Sequence, residues 1–315
     1  MLSRVAEAIY WMSRYVERAE NLARFIDVTL NLMLDQPAAS EAAQWEPLIR
    51  ATGDDKLFSE RYETPTRDNT TCFLTFDRDY VNSIISSLTQ ARENARTVRE
   101  VISSEAWEQL NEFYHFVKQA AETDDAVGNP SDFFGEIKRQ SHLFNGIVDA
   151  TMSHGEGWHF LNFGRLLERA DKTSRILDVK YFTLLPEVDD VGTTIDDLQW
   201  SAVLRSVSGF EMYRKLHHGL TVHRVVEFLV LDRHFPRAIH YCLSRANESL
   251  HEISGSQLDA FRNPAEQQLG RVCAELTYLD VDQIIDQGLH EFIDGLQRNL
   301  NKVGEAVAKT FFSKQ

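Results

Sequence analysis

Arginine and glutamate recur together at helical spacing in two distant parts of the chain. The two sets are Arg14, Glu17, Arg18 and Arg24, then Arg165, Glu168, Arg169 and Arg175. Residues three or four positions apart lie on one face of a helix. A planar guanidinium can bind a carboxylate through two parallel hydrogen bonds, either inside a protein or on a bound anion. The sequence therefore predicts a central Arg/Glu cluster as the candidate binding site.

Two interpretations of this cluster remain open. Apolar residues surround the first segment on nearly every side, so its helix is predicted to be central and some of its charges buried. Buried charges must be paired, and the second set can supply partners if the two helices pack about a pseudo-two-fold axis. In one interpretation this is an ionic network that sets helix register with little net stability. In the other, the guanidinium groups line a cleft that holds a carboxylate or phosphate.

Five further residues are secondary candidates. Arg92, Glu93 and Arg96 lie close together on a predicted helix, where an ionic seam between helices is the expected use. Asp77 and Asp232 occupy similar runs, FLTFDRDY and FLVLDRHF.

The two halves of the chain match residue for residue in places. Residues 14–28 match 165–179 at an offset of 151, and residues 73–80 match 228–235 at an offset of 155. Two matches in the same order with nearly equal offsets predict an internal duplication. We expect one domain over residues 1–315, built from repeats at about 1–154 and 155–315.

Helical periodicity covers almost the whole chain, and no convincing alternating strand pattern occurs. The pattern predicts an all-α protein, a long antiparallel helical bundle. Its longest helices are expected at about 3–34 and 157–184, with breaks at Gln36-Pro37, 124–130 and 186–194. A single last helix is expected from Val281 to the C-terminus. The stretch TPTRDNTT (64–71) is expected to be a loop.

Composition excludes several classes of function. The formal net charge of -15 repels phosphate backbones and anionic lipid surfaces, so no nucleic acid partner is expected. No stretch approaches the roughly 18 to 20 apolar residues of a membrane span. The chain is expected to be soluble and cytoplasmic, with no membrane association.

No metal or cofactor is predicted. The pairs Glu112/His115 and Glu248/His251 have the spacing of di-iron helical sites, but they do not occupy equivalent places in the two repeats. Three separated cysteines form no CxxC motif. Phosphate-binding loops, nucleotide fingerprints and nucleophile elbows are also missing from the sequence.

Several runs resemble the bacterial alpha-E family, an all-helical family named for a Glu-Arg motif. They are YWMSRYVERAENLAR, ARENARTVREVISSEAWEQLN, GWHFLNFGRLLERADKTSRILDVKY, LRSVSGFEMYR and FLVLDRHFPRAIHYCL, in order along nearly the whole chain. The motif corresponds to Glu17-Arg18 and Glu168-Arg169. The chain departs from the family pattern at His154-Gly155 and at Ala238, where a serine is more usual.

The resemblance implies a cellular context rather than an activity. Members of the family are typically encoded beside an ATP-grasp amide ligase and a transglutaminase-like peptidase, which implies synthesis or modification of a peptide. The leading hypothesis is an accessory helical protein that binds the ligase or its peptide. The alternative is an enzyme that acts on a small anionic or peptide substrate at a central Arg/Glu cleft.

Overall fold

A computed structural model describes residues 1–35, 41–123, 129–183 and 194–313. Within these ranges every regular element is a helix, which confirms the predicted all-α class. The α-helices are α1 (Ser3–Asp35), α2 (Glu41–Thr52), α3 (Asp55–Ser59), α4 (Arg67–Thr75), α5 (Ile84–Thr97), α6 (Ser104–Thr123), α7 (Pro130–Thr151), α8 (Glu156–Thr183), α9 (Thr194–Ser206), α10 (Phe210–Leu216), α11 (Val222–Val226), α12 (Ile239–Ser254), α13 (Pro264–Tyr278), α14 (Val281–Gln287) and α15 (Leu289–Val307). Short π-helical turns, Glu227–Leu231 and Ala308–Phe312, continue α11 and α15. No helix in the described ranges is long and apolar enough to cross a membrane.

The two longest helices, α1 and α8, form the centre of the molecule and pack against each other. The apolar stripe of α1 is fully buried at Ile9, Met12, Ala19, Ala23 and Ile26. Such a stripe, recurring every three or four residues, stabilises a long helix mainly through packing rather than through helix propensity.

Each central helix packs against two long helices of its own half, and a third helix packs against both of those. Helix α1 packs against α5 and α7, and α6 packs against both of these. In the same way α8 packs against α12 and α15, with α13 against both. The two halves therefore have the same arrangement of long helices.

Helix α1 runs antiparallel to a neighbour in its own half and parallel to the other central helix. The contacts of α1 with α7 run antiparallel as predicted, since Glu20 meets Ser141 and Asp27, further along α1, meets Lys138. The contacts of α1 with α8 instead run parallel: the Met1 amino group meets Glu156, and Arg18 meets Glu168.

Gly164 allows α1 and α8 to approach each other closely. A Cβ atom at this position would lie 2.5 Å from the Tyr10 carbonyl oxygen and 2.5 Å from Ser13 Oγ. Both distances are far inside van der Waals contact, so a larger residue would force the helices apart. Ser13 lies 151 positions before Gly164, so two small residues meet at this point.

Two local predictions were wrong. The expected loop at 64–71 contains the start of α4, because Thr66 and Asn69 form a capping box that begins the helix at Arg67. The single helix expected from Val281 onward is interrupted at Gly288, whose φ of 97° is unsuited to other residues. The predicted breaks at Gln36-Pro37, 124–130 and 186–194 fall largely outside the described residues.

Candidate functional site

Glu168, from the second Glu-Arg motif, is bound by arginines of the first helix. Arg18 donates from Nε to Oε1 at 2.7 Å and from Nη2 to Oε2 at 3.2 Å. Arg14 donates from Nε to Oε2 at 2.8 Å. The Lys172 ammonium lies 3.6 Å from Oε1. The Glu168 side chain is 0% exposed, so the helices enclose this carboxylate completely.

Glu17, from the first motif, is bound in the reciprocal way. Arg169 donates to its two carboxylate oxygens, from Nε at 2.9 Å and from Nη2 at 2.7 Å. Arg237 Nη1 donates to Oε1 at 3.1 Å, and Asn21 Nδ2 donates to the same oxygen at 3.0 Å. The Glu17 side chain is also 0% exposed. Each motif thus supplies a carboxylate to the other motif's arginine.

Electrostatics keeps both motif glutamates ionised. Burial alone would raise the pKa of Glu168, but the charges of Arg18 and Arg14 outweigh it and hold the pKa well below its usual range. Burial likewise acts to raise the pKa of Glu17, and Arg169 and Arg237 together bring that pKa below normal. A carboxylate held in this way at neutral pH is a fixed charge and a poor proton carrier.

A second pair of carboxylates extends the network along α1 and α8. Arg24 donates to Glu20 Oε1 from Nε at 2.9 Å, and Arg175 Nε donates to Asp171 Oδ2 at 2.9 Å. Glu20 also accepts hydrogen bonds from Arg237 and, at 2.7 Å, from Ser141. The predicted Arg24 and Arg175 thus each pair with a carboxylate one turn earlier in their own helix, and Arg24 also contacts Ser208 and His142.

Sequence reasoning missed three members of this network: Glu20, Asp171 and Arg237. The two carboxylates were visible at the i,i+4 spacing to Arg24 and Arg175. Arg237 precedes α12 in the chain, outside the long helices, and only 6% of it is exposed. The 155-residue offset between the two halves of the sequence makes Arg237 the counterpart of Asn82.

Arg165 is the one predicted arginine that the structure separates from the network. Its Nη2 donates to Asn162 Oδ1 at 2.6 Å, while its buried Nε has no hydrogen-bond partner. Among the described residues no carboxylate lies within 4 Å of its guanidinium. Burial lowers the pKa of Arg165, as expected for a cation without a close counter-ion.

Arg165 lines an open cleft between α8 and α12, which we call the Arg165 cleft. Its volume is about 600 Å³, within the range of small-molecule sites. The lining residues include Trp158, His159, Asn162, Arg165, Tyr241 and Ser249. The central cluster is therefore of two kinds: a closed network around Glu17 and Glu168, and an open cleft beside it.

Asp77 and Asp232 lie outside the central cluster and have the same local role. Asp77 Oδ1 accepts hydrogen bonds from the backbone N–H groups of Asp79 and Tyr80 at 2.8 and 3.1 Å. Asp232 Oδ1 does the same for His234 and Phe235 at 2.7 and 2.6 Å. Both aspartates thus stabilise a turn ahead of a long helix.

Arg92, Glu93 and Arg96 form a surface group on α5. Glu93 pairs with both arginines, at 3.2 Å to Arg92 and 2.8 Å to Arg96, and its side chain is 44% exposed. Arg92 also donates to Asn111 Oδ1 at 2.7 Å, which links α5 to α6. The ion pairs of this group thus lie within α5, the link to α6 is made to a neutral amide, and the group lies away from the buried carboxylates.

The described residues hold no group of three or more His, Cys, Asp or Glu side chains placed to bind a metal ion. Glu248 pairs instead with Arg245 at 2.7 Å, and His251 contacts Ser256 Oγ at 2.8 Å. Cys242 is buried, and burial raises the pKa of its thiol to about 12, which leaves it a poor nucleophile at neutral pH.

The fold and the site together define an all-helical protein whose two central helices are joined by reciprocal Glu-Arg ion pairs. A family described as a predicted alpha-helical domain with a conserved ER motif, Alpha-E, matches residues 1–312. The chain therefore belongs to the Alpha-E family.

The chain is also similar to uncharacterised proteins of mycobacteria. One, from Mycobacterium bovis, is 21% identical over 329 residues, and one from Mycobacterium tuberculosis strain CDC 1551 has the same identity and length of match. In both cases 98% of this chain is covered, but only 36% of the relative. The chain thus spans about a third of the length of these relatives. No solved structure matches it.

Proposed function

We propose that this chain is an accessory, ligand-binding helical protein whose Glu-Arg motif is architectural. The observation that carries the proposal is the complete enclosure of Glu17 and Glu168. All four of their carboxylate oxygens accept hydrogen bonds from guanidinium groups. A general acid or base must contact the proton of its substrate, and these two carboxylates are fully buried and bound by guanidinium groups. Binding is left to the cleft and surfaces outside the network.

The proposed partners are an ATP-grasp amide ligase and a transglutaminase-like peptidase, acting together in peptide synthesis or modification in the cytoplasm. The family resemblance supports this context. The lengths of the mycobacterial relatives are compatible with it, because most of each relative lies outside the part that this chain matches. A domain that occurs within longer chains is suited to work beside a second activity.

Reconstitution tests this proposal. The chain, the ligase and the peptidase encoded near it would be co-expressed, and complexes isolated through a tag on the ligase. ATP-dependent amide-bond formation would then be measured with and without the chain, with an unrelated helical protein of similar charge as control. We expect co-purification and a change in the yield or identity of the amide product. Absence of both effects would refute the accessory role.

The alternative is an enzyme acting on a small anionic or peptide substrate. The open Arg165 cleft is the observation that favours it, since its arginines and its two histidines, His159 and His251, could stabilise charge or transfer protons. Incubating the purified chain alone with candidate peptides and following product by mass spectrometry separates the two functions. Turnover by the chain alone, lost in Arg165→Gln, would replace the accessory role by a catalytic one.

We also infer that the two halves are repeats of one ancestral unit, about 1–154 and 155–315. The equal helix arrangement, the reciprocal Glu-Arg pairs and the two Asp turns support the duplication. The threonine caps of α4 and α11 lie 155 residues apart, at Thr66 and Thr221, and each accepts from the backbone N–H three residues on. Gly53 and Ser208, also 155 apart, both have positive φ, at 75° and 52°.

A further inference from the structure

The two halves treat one pair of equivalent arginines in opposite ways. Arg14 and Arg165 are 151 residues apart, but only Arg14 has a carboxylate partner, Glu168 at 2.7 Å. Arg14 also donates from Nη1 to the Tyr10 hydroxyl at 2.9 Å. The residue equivalent to Tyr10 in the second half is Leu161, which has no hydroxyl to offer. Arg165 therefore has neither of the two partners that Arg14 has, a carboxylate and a tyrosine hydroxyl.

This difference has its cause in one pair of matching positions, which hold Asn82 ahead of α5 and Arg237 ahead of α12. The carboxylate equivalent to that of Arg14 would be Glu17, but Arg169 and Arg237 already occupy it. In the first half the position of Arg237 is held by Asn82, a neutral residue that accepts a hydrogen bond from Arg18 at 2.7 Å. The additional guanidinium of Arg237 thus takes the place that Arg165 would fill by symmetry.

An unpaired, half-buried guanidinium is costly unless a ligand supplies the missing anion. Arg165 keeps a single hydrogen bond, to Asn162, and this contact fixes the direction of the guanidinium. Asn162 is itself held by Ser249 Oγ at 2.9 Å. A charge without a partner, oriented by a supported side chain and lining a cleft of about 600 Å³, has the features of a binding group.

Charge and shape around Arg165 restrict the ligand. Three carboxylates, of Asp149, Glu248 and Glu252, also line the cleft, together with two further arginines, Arg169 and Arg245. These two arginines are paired with Glu17 and Glu248, so the exposed Asp149 and Glu252 form the acidic rim of the cleft. Glu17 and Asp149 act on Arg165 at a distance, beyond ion-pair range. Two aromatic side chains, Trp158 and Tyr241, provide apolar lining. A polyanion would be repelled by this acidic rim and by the net charge of -15.

We propose that the Arg165 cleft binds a small zwitterion, an α-amino carboxylate of amino-acid or short-peptide size. Its carboxylate lies on the Arg165 guanidinium, and its ammonium group faces the acidic rim. An apolar side chain packs against the aromatic lining. This assignment rests on the binding role proposed above and names the chemical class of the ligand.

Calorimetric titration of the purified chain with a dipeptide and its blocked forms tests the assignment. The probes are glycyl-phenylalanine, its C-terminal amide, its N-acetyl form, free phenylalanine and inorganic phosphate. We expect binding of the free dipeptide or amino acid, at least tenfold weaker binding of the amide, and weaker binding of the acetylated form. Equal affinity for dipeptide and amide would overturn the carboxylate contact, and tighter binding of phosphate would overturn the zwitterion.

Two variants of equal charge locate the contact. Arg165→Gln removes the proposed anchor, and a charge-assisted hydrogen bond of ordinary strength corresponds to roughly 10- to 100-fold in affinity. Arg245→Gln removes a positive charge from the same cleft, but that arginine is already paired with Glu248 and 54% exposed. We expect Arg245→Gln to stay within about threefold of the parent chain. Equal losses in the two variants would mean diffuse attraction and would exclude a site at Arg165.

Failure of this site and failure of the accessory role are distinguishable, because the titrations contain no ligase or peptidase. Dipeptide binding without co-purification would leave the site standing and remove the proposed partners. Co-purification in the absence of any dipeptide or amino-acid binding would keep the partners and refute the zwitterion site. Thermal melts of both variants confirm that each is folded before its affinity is interpreted.

Discussion

The Arg169 guanidinium binds the two carboxylate oxygens of Glu17, at 2.9 Å through Nε and 2.7 Å through Nη2. The reciprocal contact joins Arg18 to Glu168. Since each helix supplies one carboxylate and one guanidinium group to the other, the two motifs fix the register of α1 against α8. The parallel direction of these helices makes the exchange possible, because it brings both motifs to the same level.

Replacing either motif glutamate should destabilise the fold strongly. Glu17→Gln keeps the shape of the side chain but leaves two buried guanidinium groups, of Arg169 and Arg237, without their carboxylate. Breaking a buried pair from one side costs about 3 to 5 kcal/mol in free energy of unfolding. Glu168→Gln should cost a similar amount. Urea denaturation followed by circular dichroism measures both.

The matched control is Glu93→Gln, because Glu93 also pairs with two arginines but lies on the surface. Exposed ion pairs contribute about 0 to 1 kcal/mol, so this variant should unfold nearly like the parent chain. Motif variants as stable as the Glu93 variant would contradict the architectural role of the network.

Much of the network could be predicted from sequence, because helical spacing and the 151-residue offset place Glu17 opposite Arg169. The role of Arg237 could not, since it lies outside the long helices and reaches Glu17 and Glu20 only through tertiary packing. For the same reason the sequence could not predict that Arg165 lacks an ion pair, because this depends on which arginines bind Glu17. The capping box at Thr66 was missed because its partner is Asn69 rather than the usual Glu or Gln.

Gly164→Ala should destabilise the chain by forcing α1 and α8 apart. Its new Cβ would meet a backbone oxygen, which cannot swing aside as a side chain can. Overpacking of this kind costs about 1 to 3 kcal/mol. Gly146→Ala is the control: this glycine is exposed within α7 and has nothing within 4 Å of the added Cβ. There alanine should stabilise the helix by up to about 1 kcal/mol. Equal melting temperatures for the two variants would refute the close approach.

Stability should be lost in acid because of the buried carboxyls. The pKa values of Glu17, Glu168 and Asp171 are below normal in the folded chain. In the unfolded chain a Glu titrates near about 4.3, so below about pH 5 the unfolded state binds more protons than the folded state. The stabilisation is therefore complete above about pH 5 and decreases as the pH falls toward the lower folded-state values. Urea midpoints between pH 3 and 7 measure this, and Glu168→Gln should show a shallower dependence.

Arg14→Gln and Arg165→Gln should affect stability differently, although the two arginines occupy matching positions 151 residues apart in the sequence. Arg14→Gln removes a partner of the buried Glu168 and weakens its charge compensation, so the melting temperature should fall. Arg165→Gln removes a cation that burial disfavours and that forms no ion pair with any described carboxylate, so the melting temperature should stay unchanged or rise. A saturating zwitterion should raise the melting temperatures of the parent chain and of Arg14→Gln, which both retain Arg165, and should leave that of Arg165→Gln unchanged. A fall for Arg165→Gln as large as that for Arg14→Gln, in the absence of ligand, would show that Arg165 is part of the network after all.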